Sequence, residues 1–250
     1  MEELLEFEGK KPGLLEFLKA IKSDDVQSNH GMEREDPFMV LLYSQMSRET
    51  AMGRLIKLAK NNKELMGKDI FSIHNTLLTG TLSEGDSSIR TDNYTFVGGA
   101  VQGNLEIDYF PIDHKDIMTA ATKLAGLYNS KLSGELYDNL FIQPFLVHGL
   151  FAALQMFKDG NTRMGRIMQH ALIWKYIGAD TAYSFESPVI YATKSYFPYR
   201  KQYRDKINDL VVCGDNNSWC SWFEFNLDRL EDSIDFNRQK LHELRRRRIK

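Results

Sequence analysis

The sequence predicts a mainly α-helical bundle carrying one β-hairpin. Apolar residues recur at helical spacing through most of the 250 residues, and capping and breaking residues close off the segments they mark. One stretch, Ser88 to Pro111, drops that period for β-branched and aromatic residues around GGAVQG, which reads as a hairpin or a hairpin with an irregular arm. No internal repeat or low-complexity tract suggests any other architecture.

GLLEFLKAIKS places Leu14, Leu15, Phe17, Leu18 and Ile21 at helical spacing. The next helix begins with Asp36 as cap and Pro37 in its first turn, and runs through AMGRLIKLAKN. KDIFSIHNTLLTG ends on Gly80, a suitable left-handed cap. DHKDIMTAATKLAGLYN sets Ile117, Ala121, Leu124 and Tyr128 on one side. The helix after it starts either near Asp138 or at Gln143 with Pro144 just inside. Met164, Ile167, Met168, Ala171 and Leu172 then form one apolar stripe, with Gly178 placed to end it. Two further helical segments follow, SPVIYATKSYFPYRKQYRDKINDL and NSWCSWFEFNLDRLEDSIDFNRQKLHELRRRRIK.

Composition narrows the function. Hydrophobic residues at 42% and charged residues at 26% are ordinary for a soluble globular protein. A net charge of −2 argues against bulk attraction to nucleic acid or membrane. The basic RRRRIK reads as a solvated helix end, and YFPYRKQYR as a helix packed on the core. Cys213 and Cys220 show no metal-ligand pattern and are expected to be reduced, partly buried thiols. MEELLEFEGKK lacks the basic start and apolar run of a signal peptide, and no stretch approaches the roughly 18 apolar residues of a membrane span. A cytoplasmic protein is expected.

The chemistry concentrates in MFKDGNTRMGR, residues 156 to 166. DGNT is a turn feeding a helix that begins near Thr162, where free N–H groups and the positive helix end form an anion site. Arg163 and Arg166, three apart, add two guanidinium forks suited to phosphate oxygens. Asp159 would repel an anion unless a cation such as Mg²⁺ lay between them. Gly160 allows the turn otherwise strained angles.

This stretch resembles the Fic motif of the Fic/Fido family, H-P-F-x-[D/E]-G-N-G-R-x-x-R, with Phe157, Asp159, Gly160, Asn161, Arg163 and Arg166 in register. The upstream HGLFAAL, the segment LLTGTLSEGDSSIRTDNYTFVGG and the downstream CGDNNSWCSWFEFNLDRL extend the resemblance over roughly residues 65 to 235. It implies a Fic-type helical core over 65–200 with the hairpin as its flap, an N-terminal helical segment over 1–64 packed on that core, and a helical extension over 201–250. It also implies ATP and Mg²⁺ as cofactors and AMP transfer to a hydroxyl of a target protein docked on the 88–111 flap. The N–H groups of Gly160, Asn161 and Thr162 would cradle phosphates, with Asn161 also holding the turn. Asp159 would bind Mg²⁺, and Arg163 and Arg166 would contact the outer phosphates.

The departures bear on activity. The position of the catalytic histidine is Gln155, and an amide cannot act as a general base near neutral pH. Met156 replaces the proline, and Thr162 a glycine. His148 and His170 read as packed or hydrogen-bonded helix histidines rather than substitute bases. Glu84-Gly85 falls in a loop and makes no convincing copy of the family's inhibitory helix. The expectation is a Fic protein that binds ATP–Mg²⁺ with AMP transfer weak or absent. The alternative is a non-catalytic Fic-like protein that binds a nucleotide or partner, and a nucleic-acid regulator acting through the basic C-terminus ranks below both.

Overall fold

A computed structural model describes residues 51–59, 61–79, 89–91, 93, 97–101, 104–131, 142–178 and 199–248. The expectations for residues 1–50, for Gly80 as a cap, for Glu84-Gly85 and for a helix start near Asp138 fall outside these residues. The described chain is helical with one hairpin. Its elements are α1 (51–59), α2 (Gly67–Leu78), β1 (Val97–Val101), β2 (Asn104–Tyr109), α3 (Ile117–Asn129), α4 (Gln143–Leu154), α5 (Asn161–Gly178), α6 (Arg200–Val212) and α7 (Asn216–Arg248). A 3-10 turn, His114–Asp116, leads into α3. None of the described helices is long and apolar enough to cross a membrane.

Local chemistry accounts for the starts of these elements. The Asp69 carboxylate in the first turn of α2 accepts the Met66 N–H at 2.9 Å, satisfying a donor the helix leaves orphaned. Asp113 does the same for the Lys115 N–H at 2.9 Å before α3. Pro144 sits in the first turn of α4, where its missing N–H removes no helical bond. Asp215 accepts the Ser218 N–H at 2.8 Å and so caps α7.

The expected stripes are the buried ones. Met164, Ile167, Met168, Ala171 and Leu172 are essentially inaccessible, and so are Ile117, Ala121, Leu124 and Tyr128. With Ile70, Ile73, Phe151, Met156 and Phe157 they build one core around the turn that joins α4 to α5. A second cluster joins Tyr109 at the end of β2 to Ala152 of α4 and to Tyr203, Ile207, Leu210, Trp222 and Phe225 of α6 and α7.

Two glycines allow α4 close approach to its neighbours. A Cβ on Gly165 of α5 would lie 2.8 Å from the His148 ring, and one on Gly149 of α4 would lie 2.7 Å from the Trp222 indole nitrogen. The indole itself donates to the Phe145 carbonyl at 2.8 Å, tying α7 to α4.

The region read as a hairpin contains one, with an irregular first arm. β1 and β2 pair antiparallel from Val101 opposite Asn104 to Val97 opposite Tyr109, with an irregularity between Val97 and Gly98. Upstream, Ile89 bridges to Phe157 instead, so this arm is spent on the α4–α5 turn. One expectation is corrected: Cys213 and Cys220 are free thiols but exposed. They lie at the end of α6 and in the first turns of α7, where only one side of each helix faces the core.

Candidate functional site

The turn from Gln155 to Gly160 is held by contacts from three directions. Asn161, at the start of α5, accepts the Phe157 N–H through Oδ1 at 3.0 Å and donates Nδ2 to the Phe157 carbonyl at 2.8 Å. Both ends of this amide are thereby used on the turn, which supports its expected role as a holder. From α2, His74 stacks on the Phe157 ring at 3.6 Å between centroids, and its Nε2–H donates to the Asp159 carbonyl at 2.7 Å. Gly160 turns at φ +78°, and an added Cβ would lie 2.9 Å from that same His74 nitrogen. Conformation and space both require glycine there.

Arg90 holds the other end. It is 1% exposed, and its backbone N–H donates to the Met156 carbonyl at 3.2 Å. Its Nε donates to the Gln155 carbonyl at 2.6 Å and its Nη2 to the Ile112 carbonyl at 2.5 Å. Gln155 ends α4 in the left-handed region, φ 47° and ψ 54°, a conformation that costs a non-glycine residue roughly 1 kcal/mol. Its side-chain Nε2 turns back to donate to the Ala152 carbonyl at 2.6 Å, a group that the Tyr109 hydroxyl also reaches at 3.3 Å.

The helix start differs in detail from the sequence expectation. α5 begins at Asn161, and its first ladder bond runs from the Met164 N–H to the Gly160 carbonyl at 2.9 Å. Helical geometry therefore leaves the N–H groups of Asn161, Thr162 and Arg163 outside the ladder. The Gly160 N–H, expected in the cradle, donates instead to the carboxylate of Asp159 at 2.5 Å. The Gly160 N–H is thus taken up within the turn.

The two arginines and Asp159 are also engaged differently from the sequence picture. Asp159 is neutralised within the chain by Arg163, Nη2 to Oδ2 at 2.8 Å, one helical turn on, where an acid and a base face each other. The Arg163 side chain is 10% exposed. Arg166 is 3% exposed and hydrogen-bonded to the Tyr203 hydroxyl of α6. The two guanidiniums do not form one open fork, because Arg163 is paired within the turn and Arg166 with α6. No group of three or more metal-ligating side chains occurs among the described residues.

Behind Arg166 runs a buried polar chain. His148 Nε2 lies 2.8 Å from the Tyr203 hydroxyl and Nδ1 lies 2.5 Å from Gln169 Oε1. One proton assignment gives each bond a donor and an acceptor: Arg166 donates to Tyr203, Tyr203 to His148, and His148 Nδ1–H to Gln169. Burial, reinforced by the Arg166 charge, pushes the His148 imidazole down to about 3. It is a neutral, packed histidine, as expected, and His170 is likewise buried in α5.

Acid should expose this arrangement. The unfolded imidazole takes a proton near 6.5 and the folded one near 3, so between those values the unfolded chain binds more protons and stability falls as the pH falls. At pH 5 the loss from this group is about 2 kcal/mol. Urea unfolding at about pH 7.5 and pH 5 should show that much less acid sensitivity in His148→Gln than in the parent. Equal acid sensitivity in the two proteins would contradict the buried neutral imidazole.

A cleft of about 620 Å³ between α3 and α4 is lined mainly by Ile112, Ala120, Leu124, Leu127, Leu150 and Leu154. It contains none of the motif residues. His74, Arg90 and Tyr203 are the residues that motif spacing alone misses. A histidine within the apolar stripe of α2 was the one available signal for His74.

These features define a helical domain in which a stitched turn, closed by a buried arginine, feeds a helix start beside a pair of motif arginines. Residues 65–173 match the Fic/DOC family, and the chain carries a Fic/Fido domain over that span. No curated protein matches the chain.

Proposed function

We propose that this protein binds ATP–Mg²⁺ at the start of α5 and is related to protein adenylyltransferases, with AMP transfer weak or absent. The observation that carries this reading is the turn itself. Asn161, His74, Arg90 and Gly160 hold it in one conformation, with the N–H groups of Asn161 and Thr162, outside the helical ladder, as donors for phosphate oxygens. A single carboxylate such as Asp159 suits Mg²⁺ only when phosphates complete the coordination, so the metal would arrive with the nucleotide. It would there neutralise phosphate charge. Arg163 would exchange its bond to Asp159 for a phosphate, and Arg166 would support the outer phosphates. The hairpin is a two-stranded sheet among the described residues, and a target segment would add to its edge by strand pairing.

A second reading, a non-catalytic regulatory protein that holds a nucleotide or partner, is favoured by Gln155. Its amide is turned onto the end of α4 and has no proton-accepting nitrogen. In both readings residues 65–200 form the core, with 1–64 and 201–250 added to it. Calorimetry with ATP–Mg²⁺ tests the shared part. Arg163→Ala should weaken binding about tenfold, since charge-assisted bonds contribute roughly 1.5–3 kcal/mol each. Unchanged affinity in Arg163→Ala and Arg166→Ala would overturn the phosphate site.

A further inference from the structure

Two neighbouring residues of α6, both beyond the matched family span, touch different halves of the site. Arg204 grips Asp108 near the end of the hairpin with two parallel bonds, Nε to Oδ2 and Nη2 to Oδ1, the latter at 2.7 Å. The side chains are 37% and 16% exposed, so the pair is partly withdrawn from water and its planar fork fixes direction as well as distance. The next residue of the hairpin, Tyr109, is 7% exposed in the cluster that holds Tyr203, Ile207 and Leu210. One position before Arg204, Tyr203 accepts the Arg166 guanidinium and passes its own proton bond to His148.

We infer that Tyr203 and Arg204 act as positioning residues that hold the hairpin and Arg166 as one unit, so that α6 sets where a partner strand and a phosphate meet. What the hairpin and Arg166 do in that unit rests on the function proposed above; the latch itself does not. The physical ground is that a packed helix moves as a rigid body, so two groups fixed to adjacent residues of its first turns cannot shift independently. Loss of the Asp108 grip therefore loosens the hairpin and disturbs the Arg166–Tyr203 bond together.

The test uses the full chain without nucleotide. Arg204→Ala should speed amide exchange over residues 104–109 about tenfold while leaving α4 and the first turns of α5 unchanged. It should also move the NMR resonance of the Arg166 Nε–H. The charge-swapped double variant, Asp108→Arg with Arg204→Asp, should bring both readouts back towards the parent. Unchanged exchange in Arg204→Ala overturns the latch. Exchange that rises uniformly through the protein overturns positioning in favour of general destabilisation. A loosened hairpin with an unmoved Arg166 signal overturns the single unit. Calorimetry on the parent separately reports whether ATP–Mg²⁺ binds, so failure of the proposed function is distinguishable from failure of the latch.

Discussion

Arg90→Ala is expected to remove about 3 kcal/mol or more of folding stability, the largest loss foreseen for any single side chain of the turn. Arg90 is 1% exposed and donates to the carbonyls of Gln155 and Ile112 at 2.6 and 2.5 Å. Truncation deprives both oxygens of a charged donor in surroundings that exclude most water, and leaves a cavity as well. It also frees Gln155 from the bond that helps keep its backbone at φ 47°, so the end of α4 can relax out of the left-handed region. Arg90→Lys keeps the charge but not the fork, and an ammonium cannot reproduce the two planar bonds. It should fall between the parent and alanine. Urea unfolding of the three proteins decides it. A loss below about 1 kcal/mol in Arg90→Ala would mean that the turn is held by its other contacts.

The sequence made much of the fold legible, and the reason lies in short-range patterning. The α5 stripe from Met164 to Leu172 and the α3 stripe from Ile117 to Tyr128 are local periodicities, and burial follows them. The hairpin announced itself by breaking that period. The wiring of the turn was legible only in part, because its partners lie far off in the chain. His74 reaches Asp159 across 85 positions and Arg90 reaches Gln155 across 65, and no spacing rule connects them. The pairing of Asp159 with Arg163 was within reach, being one helical turn. The cysteines were placed too deep, because free cysteine is usually buried and nothing local told Cys213 and Cys220 apart from core positions.

Gln155→His is expected to produce the largest change in activity, raising AMP transfer by about 100-fold or more, within the range general-base groups supply. The structure gives two reasons for expecting the imidazole to fit. The Arg90 bond to the Gln155 carbonyl holds the backbone at 155 whatever the side chain, and only the bond from the glutamine amide to Ala152 is lost. Histidine is also among the residues that tolerate positive φ better than most. Met156, in place of the motif proline, is fully buried and its carbonyl accepts from the Arg90 N–H. The chain path through that position is therefore set by packing and by the Arg90 bridge. The groups proposed to position phosphate are present beside it, and such groups supply most of the remaining transition-state stabilisation in this chemistry.

The measurement that bears most directly on the whole account is transfer of labelled AMP to this protein and to cell-extract proteins, with parent, Gln155→His and Gln155→Ala side by side and ATP–Mg²⁺ binding recorded for each. All three proteins should bind nucleotide, parent and alanine variants should be equally silent, and histidine should revive transfer. A parent as active as the histidine variant, or a histidine variant that binds ATP–Mg²⁺ and transfers nothing, would contradict a Fic site that lacks only its base.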